Sequence, residues 1–424
     1  MEINSERMKL MKKRLLALFI ALCLMVSFVV PSFATEAENE DPLSYPFILV
    51  HGMMGWGDEP EGLINTPYFA DGEDGFISDY MESIGLEVYA PSVGPLSSAW
   101  DRACELYAQL TGTVVDYGAA HSAAYGHERY GRDYTGRALM GEPWNLTDKL
   151  NFIGHSFGGP TLTVFAHLLA YGDEEEMAAA PDDCSNLFKG GNASGIYSIT
   201  TLAGAHNGTP LCDILYDIPG LVTFACGLIN IVGLSKKPIL DMMLDQFGVT
   251  NDPSTGKGAK LNLKGIMQLA KSNDNNVYDM TIEASEEFNK KYKSVDSIYY
   301  FAYSGNITED FIGDTKIAKG GKGITRLLCL TAGMIIEGSD RDYNGVYLDE
   351  SWAESDGMVP VPSAVHPKYQ PYTEYSEDTE LKTGVWYVMP TRQGATHPWF
   401  TGLDSGDNRW FYDEIFALIK STAE

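Results

Sequence analysis

Gly154-His155-Ser156-Phe157-Gly158 directly follows the apolar run Leu150-Asn151-Phe152-Ile153 and precedes a stretch, Thr161 to Ala170, that reads as a helix. In a strand, tight turn and helix context, such glycines permit a strained turn that lifts a serine hydroxyl above the end of a sheet. Five-residue patterns recur by chance, and the competing reading is a tight turn with an incidental serine. The satisfied context, together with Gly159, favours Ser156 as a nucleophile. A serine that attacks an ester needs an imidazole base, and the base needs a carboxylate to hold its tautomer and orientation.

The order of parts in a fold with this turn is serine, acid, histidine. His167, His206, His366 and His397 follow Ser156. His167 lies within the helix leaving the turn, and His206 comes too early to have an acid and a late strand before it. His397, just after the apolar run Val385 to Met389, fits the final loop; His366 reads as a loop histidine. The acid is expected at Asp356, at a turn before Met358-Val359-Pro360, although Asp340, Asp342, Asp349, Glu350 and Glu354 stand nearby and pattern alone does not separate them. The oxyanion of a tetrahedral intermediate needs preorganised donors, each worth about 2.7–4 kcal/mol. The backbone N–H groups of Phe157 and of Met53, in His51-Gly52-Met53, are the expected pair, and their apolar side chains favour a greasy acyl pocket.

The elements that must hold these residues follow a regular rhythm. Apolar runs at Phe47 to His51, Leu86 to Pro91, Leu150 to His155, Tyr197 to Leu202, Ser297 to Ser304 and Val385 to Met389 alternate with helical stretches. That pattern implies an α/β fold with a mainly parallel sheet and helices on both faces. Two excursions interrupt it. Residues 92–143 contain no clear strand, and residues 205–295 run from an apolar segment into a polar, Asn- and Lys-containing stretch.

At the N-terminus, Lys9, Lys12, Lys13 and Arg14 precede the sixteen-residue apolar run Leu15 to Val30 and then Ser32-Phe33-Ala34. This reads as a secretory signal peptide over residues 1–34, too short for a membrane anchor and interrupted by Pro31. Its removal takes five basic and two acidic side chains and moves the formal charge from −28 to −31. A chain so acidic repels phosphate backbones, so nucleic acid and anionic membranes are poor partners while neutral or zwitterionic lipid remains accessible. The remaining residues 35–424 suit one catalytic domain with insertions. The five cysteines left, Cys104, Cys184, Cys212, Cys226 and Cys329, are an odd number without a CxxC pair, which argues against a disulfide framework and cysteine-based metal chemistry.

Asp101, His121 and His127 form a second constellation in the first excursion, since one carboxylate and two imidazoles can supply three of the four ligands of a tetrahedral zinc. Loop histidines with this spacing are more often solvated. The surroundings extend the pattern: Val93 to Glu105, Tyr107 to Leu110, Val115 to His121, His51-Gly52-Met53 with Gly55-Trp56-Gly57, Ala205 to Thr209, Leu244 to Gly248, Ser355-Asp356-Gly357 and Gly384-Val385-Trp386. From about Tyr45 to the C-terminus this collinear set resembles the thermoalkalophilic Bacillus and staphylococcal lipases.

The resemblance implies an α/β-hydrolase lipase of acylglycerols with an inserted zinc-binding subdomain over about 92–143, and a lid and accessory helices over about 205–295. It puts the acid on Asp356 and the base on His397, and a structural zinc on Asp101, His121, His127 and Asp245. The run Leu211 to Leu240 resembles the family's lid, with a buried core helix as the alternative. One departure stands out. The family's calcium site uses a glutamate two residues after the histidine and an aspartate five further on; here they are Trp399 and Asp404, and losing a hard oxygen ligand makes calcium binding doubtful. The expected partner is a lipid or ester at an oil–water interface. A short-chain carboxylesterase or phospholipase, and more remotely an inactive lipid-binding relative, are the alternatives.

Overall fold

The computed structural model describes residues 41–423 except 59–65, 73–74, 218–240, 250–261, 311–315 and most of 322–340. The expected signal peptide and most of the expected lid therefore lie outside the described residues, as does Cys226.

The centre is a sheet of seven strands, all paired in parallel: β1 (Phe47–Val50), β2 (Val88–Tyr89), β3 (Leu150–His155), β4 (Ile196–Leu202), β5 (Tyr299–Tyr303), β6 (Tyr372–Glu374) and β7 (Trp386–Val388). Their spatial order is β6-β7-β5-β4-β3-β1-β2. Six of these are the apolar runs of the sequence. The edge strand β6 is the addition: Tyr372 and Glu374 are exposed and carry no apolar run to signal it.

Alternate side chains point to opposite faces of a strand. Ile48 and Val50 accordingly enter one core with Phe152, Ile199 and Tyr300, while Phe47 and Leu49 enter the other with Ile153, Leu202 and Phe301. The first core is closed by α1 (Ala99–Thr111) packed along α3 (Gly158–Tyr171). The second is closed by α4 (Arg409–Ser421), whose Phe416 ring lies 5.3 Å from Phe47. Burying each such side chain contributes about 1.5–3 kcal/mol.

The first excursion is more ordered than its sequence suggests. Val114–Asp116 and Tyr130–Asp133 pair as a short antiparallel ribbon around α2 (Ala119–Tyr125), and exposed Val114 and Tyr130 explain why no strand pattern is visible. α1 also lies wholly inside the protein from Ala99 to Leu110, although it carries Asp101, Arg102, Glu105 and Gln109. Buried polar groups require partners, and two of these four, Asp101 and Arg102, find theirs in or beside the candidate sites.

Candidate active site and metal centre

β1 and β3 are neighbours, but the chain leaves β1 for β2 on one side and returns to β3 on the other, so this is where the sheet's connections change direction. In open α/β sheets the crevice at the carboxyl ends of such strands is the usual ligand site. The loop His51-Gly52-Met53 leaves β1 there, and the Ser156 turn leaves β3 beside it. A Cβ on Gly52 would lie 2.7 Å from the Ser156 Cβ, so glycine is needed for the two loops to approach.

Ser156 has φ +57°, a left-handed conformation that costs a non-glycine residue about 1–3 kcal/mol. The turn is held by its N–H donating to the Leu202 carbonyl at 2.9 Å and its carbonyl accepting from Gly159 N–H at 3.0 Å. Both glycines of the motif are sterically required: a Cβ on Gly158 would sit 2.3 Å from the Val50 carbonyl, and one on Gly154 would sit 2.8 Å from the Gly158 backbone.

Asp356 and His397 meet as a pair. His397 Nδ1 lies 2.7 Å from Asp356 Oδ2, and the His397 N–H donates to the Asp356 carbonyl at 2.9 Å. Asp356 Oδ1 accepts from the amides of Met358 and Val359, at 2.9 and 2.8 Å. Every carboxylate oxygen is thus used, and Asp356 is fully buried. Three of the competing acids are engaged elsewhere: Asp349 caps the turn at Ser351, Asp342 accepts from Gly345 N–H, and Glu354 pairs with Lys316; Glu350 is exposed, and Asp340 lies outside the described residues. The other histidines are also accounted for. His366 stacks on Tyr372 at 3.8 Å, His206 packs on Trp386 with Nε2 3.1 Å from Thr201 Oγ1, and His167 accepts from Lys293 N–H. Burial pushes the pKa of His206 down to about 3.

The Met53 loop is braced from α1. The buried Arg102 donates to the carbonyls of His51, Gly52 and Gly94, and its Nε donates to Thr161 Oγ1 on α3 at 2.9 Å. His51 Nε2 accepts from Val93 N–H at 3.0 Å, and burial lowers its pKa to about 3. The Phe157 side chain is fully buried beneath Arg102, 5.4 Å from ring centroid to guanidinium, and so belongs to the core and not to an acyl pocket. Sequence reading missed Arg102: an arginine on an apolar helix carries no motif, and only its burial reveals its task.

Asp101, one residue earlier on α1, points to a different side of the helix. It converges with His121, His127 and Asp274, with one ligand atom from each lying within 4.8 Å of the others. His121 Nε2 lies 3.2 Å from Asp101 Oδ1 and 3.3 Å from Asp274 Oδ1, and His127 Nε2 lies 3.1 Å from Asp274 Oδ2, yet none of Asp101 Oδ1, His121 Nε2, His127 Nε2 and Asp274 Oδ2 has hydrogen-bond geometry. Burial and then the neighbouring Asp274 raise the Asp101 pKa, while at Asp274 burial is outweighed by the contacts of His121 and His127, which hold its carboxyl below the usual carboxylate range. His127 Nδ1 lies 2.9 Å from the Glu128 carbonyl, which sets the tautomer with a free Nε2 lone pair, and Trp100 stacks on His121 at 4.9 Å. The donor set fits a tetrahedral divalent ion.

The fourth position corrects the expectation of Asp245. That residue, with Asp241, is held by Arg132, at 2.9 and 2.8 Å. Adjacent side chains on the tight turn Asp245–Phe247 point apart, and the one aimed at the cluster is Gln246, whose Nε2 donates to Asp101 Oδ2 at 2.7 Å. Asp274 lies in Asn273-Asp274-Asn275-Asn276, a polar stretch without periodicity that reads as ordinary loop. At the position expected for calcium, Thr396 Oγ1 lies 2.7 Å from both carboxylate oxygens of Asp404, and Trp399 packs on Phe411 at 5.2 Å.

Comparison with known proteins decides the family. The family described as lipase-like, C-terminal domain, matches residues 43–424. The chain belongs to it. A Staphylococcus hyicus lipase is 33% identical over 391 residues, 91% of this chain and 57% of that protein; a Staphylococcus epidermidis lipase is 32% identical over 383 residues, covering 90% and 52%. The chain thus spans about half the length of the curated relatives it matches. The crystal structure of the Staphylococcus hyicus lipase superposes with a TM-score of 0.77 at 31% identity, covering 90% of this chain and 97% of that one. EstA from Clostridium botulinum gives 0.71 at 28% identity over 88% and 87%, and lipase 1 from Pelosinus fermentans 0.69 at 30% over 90% and 99%. The architecture of this lipase-family chain is the expected α/β-hydrolase sheet. No helix among its described residues is long and apolar enough to cross a membrane.

Proposed function

We propose that this chain is a secreted triacylglycerol lipase that hydrolyses acylglycerol esters through Ser156, His397 and Asp356. The observation that carries the reading is Ser156 at φ +57° on the turn after β3, with His397 presented by a buried Asp356 at 2.7 Å. His397 takes the Ser156 proton as the hydroxyl attacks the ester carbonyl, then returns it to the departing alcohol. Water activated by the same imidazole releases the acyl group. Asp356 holds the tautomer with a proton on Nδ1 and stabilises the imidazolium. The N–H groups of Met53 and Phe157 serve the oxyanion; the first is on the loop gripped by Arg102, the second opens α3, where the helix dipole favours negative charge.

Zinc in the Asp101, His121, His127 and Asp274 cluster would be structural, because four protein ligands leave no position for a reacting water. The ion would join α1 and α2 of the first excursion to Asp274 in the second, and supply the positive charge those carboxylates lack. The apolar residues 211–240 suit a lid that finds a better partner at an oil surface than in water.

The test is hydrolysis of a series of acylglycerols and nitrophenyl esters of increasing acyl length, measured across the solubility limit, with Ser156→Ala as control. Preference for long chains and for emulsions is expected. Short-chain preference without any rise at the interface would make the enzyme a carboxylesterase.

A further inference from the structure

The histidine inside the nucleophile turn has no part in the chemistry above, yet it is buried, 3% exposed, immediately before Ser156. Its Nδ1 lies 2.7 Å from the Tyr68 hydroxyl and its Nε2 lies 3.0 Å from the His397 carbonyl. The Tyr68 hydroxyl also accepts the Gly52 N–H at 2.9 Å. Proton counting leaves one arrangement. Tyr68 has a single hydroxyl proton, its oxygen already accepts from Gly52, and the His397 carbonyl can only accept. The tyrosine therefore donates to Nδ1 of His155, and Nε2 of His155 carries the proton donated to His397. Burial first, and the facing His397 second, hold the His155 pKa well below the usual imidazole range, so this neutral tautomer is the resident one.

These three bonds connect three separate chain segments. Gly52 precedes Met53 on the loop after β1, His155 precedes Ser156 on the turn after β3, and His397 is on the loop after β7. The ring of His155 also lies 4.7 Å from that of His397, and that of Tyr68 5.6 Å from that of His51. A loop shift of about 1 Å at a reacting centre can cost about a hundredfold in rate.

We propose that Tyr68 and His155 are positioning residues whose hydrogen-bond chain holds the oxyanion loop, the Ser156 turn and the His397 loop in one catalytic register. The proposal rests on the reading of Ser156 and His397 given above. Neither side chain touches substrate; each acts through a backbone group next to one that does.

The experiment compares kcat and KM for Tyr68→Phe, His155→Phe, His155→Gln and the Tyr68→Phe/His155→Phe double variant, with Ser156→Ala alongside. Competent sites are counted by stoichiometric reaction with a nitrophenyl phosphonate, so that folding losses are removed from kcat. Tyr68→Phe and His155→Phe should each lower kcat per competent site at least tenfold with KM within twofold. The double variant should be no more than twofold worse than the poorer single, because one chain is cut twice. His155→Gln, which can place an N–H near the position of Nε2, should recover at least threefold over His155→Phe. The proposal is overturned if both single variants keep kcat within threefold of the parent, if the loss lies in KM, if the two losses multiply, or if glutamine is no better than phenylalanine. Should His155→Phe yield no competent sites, the near-isosteric Tyr68→Phe decides alone. Activity in Ser156→Ala would overturn the site assignment itself, whereas an inactive Ser156→Ala beside a fully active Tyr68→Phe defeats only the positioning chain.

Discussion

The catalytic pair and the Asp–His cluster are made from the same kinds of side chain, both largely buried, yet their hydrogen-bond accounts differ. Asp356 serves one imidazole, and both of its oxygens are engaged. The cluster puts two carboxylates against two imidazoles at 3.1 to 3.3 Å, close enough to pair but with four converging atoms outside hydrogen-bond geometry. A closed account suits a group that must hand a proton back and forth in fixed geometry. An open one suits a cation, because buried unpaired charge is otherwise costly. α1 joins the two regions, with Asp101 facing the cluster and Arg102 the loop beside Ser156.

The largest effect should come from cutting the closed side. Ser156→Ala and His397→Ala should each lower kcat by about 10⁴-fold or more, and the double variant should be little worse, since the pair works as a unit. Thermal unfolding should move by only a few degrees in Ser156→Ala. A kcat within a hundredfold of the parent in either single variant would remove that residue from the chemistry.

Cutting the open side should do the reverse. Asp274→Ala should abolish stoichiometric bound zinc, measured by elemental analysis of the purified protein, and destabilise by about 3–5 kcal/mol by leaving the other buried charges unbalanced. Chelation of the parent should lower its unfolding temperature, as for any ligand bound to the folded form alone. Asp245→Ala, which deprives Arg132 of one of the two carboxylates it grips, should retain zinc. If Asp245→Ala loses the metal and Asp274→Ala keeps it, the cluster has been assigned to the wrong fourth residue.

Much of the closed side was legible in the sequence because its parts follow strand ends: Ser156 after β3, Met53 after β1 and His397 after β7 are all announced by apolar runs. Asp356 was readable only as one acid among several; the distinguishing fact is the pair of amides and the imidazole it meets in space. The open side was half legible. Asp101, His121 and His127 could be grouped from their spacing, but choosing between Asp245 and Asp274 depends on which way a three-residue turn directs its side chains, and no spacing rule carries that. Tyr68, Arg102 and His155 were invisible as positioning groups for the same reason. Each belongs to a locally unexceptional stretch, and its role arises from partners 8 to 242 positions away.

A third set of histidines extends the comparison to pH. His51 and His206 have pKa values lowered by burial to about 3, and His155 lies well below 6.5, so all three are neutral in the fold and would be charged in an acidic unfolded chain. Their folded pKa values are depressed, so the stability they allow is intact above about 6.5 and is lost as pH falls from there toward 3. With up to three extra protons bound by the unfolded state, these groups add a slope of about 4 kcal/mol per pH unit. Replacing His206 with Gln should reduce the slope by about 1.4 kcal/mol per unit in urea unfolding followed between pH 6 and 4. A slope unchanged by that substitution would mean that His206 does not stay neutral in the folded protein.

The smallest effect tests a third acidic position beside His397. Calcium asks for six to eight oxygens. Here Asp404 directs both carboxylate oxygens at the Thr396 hydroxyl, and the side chain at 399 is an indole. A cation is already present nearby: the Arg392 guanidinium lies 5.5 Å from the Trp399 ring, 5.1 Å from Trp410 and 4.7 Å from Phe411, and it pairs with Glu414. The fixed guanidinium charge and the indole standing where a carboxylate would be needed at 399 oppose a second cation, so the loop next to His397 is braced by side chains. Thr396→Val should therefore cost about 1–2 kcal/mol in denaturant unfolding, the usual worth of a hydrogen bond to a charged group at a partly exposed site. Millimolar calcium added to the zinc-loaded protein should move the unfolding temperature of neither parent nor variant by more than about 1 °C, given the linkage between binding and stability. A calcium-dependent rise of several degrees in the parent, lost in Asp404→Asn, would show that Asp404 ligates an ion and that the aromatic brace is not what holds this loop.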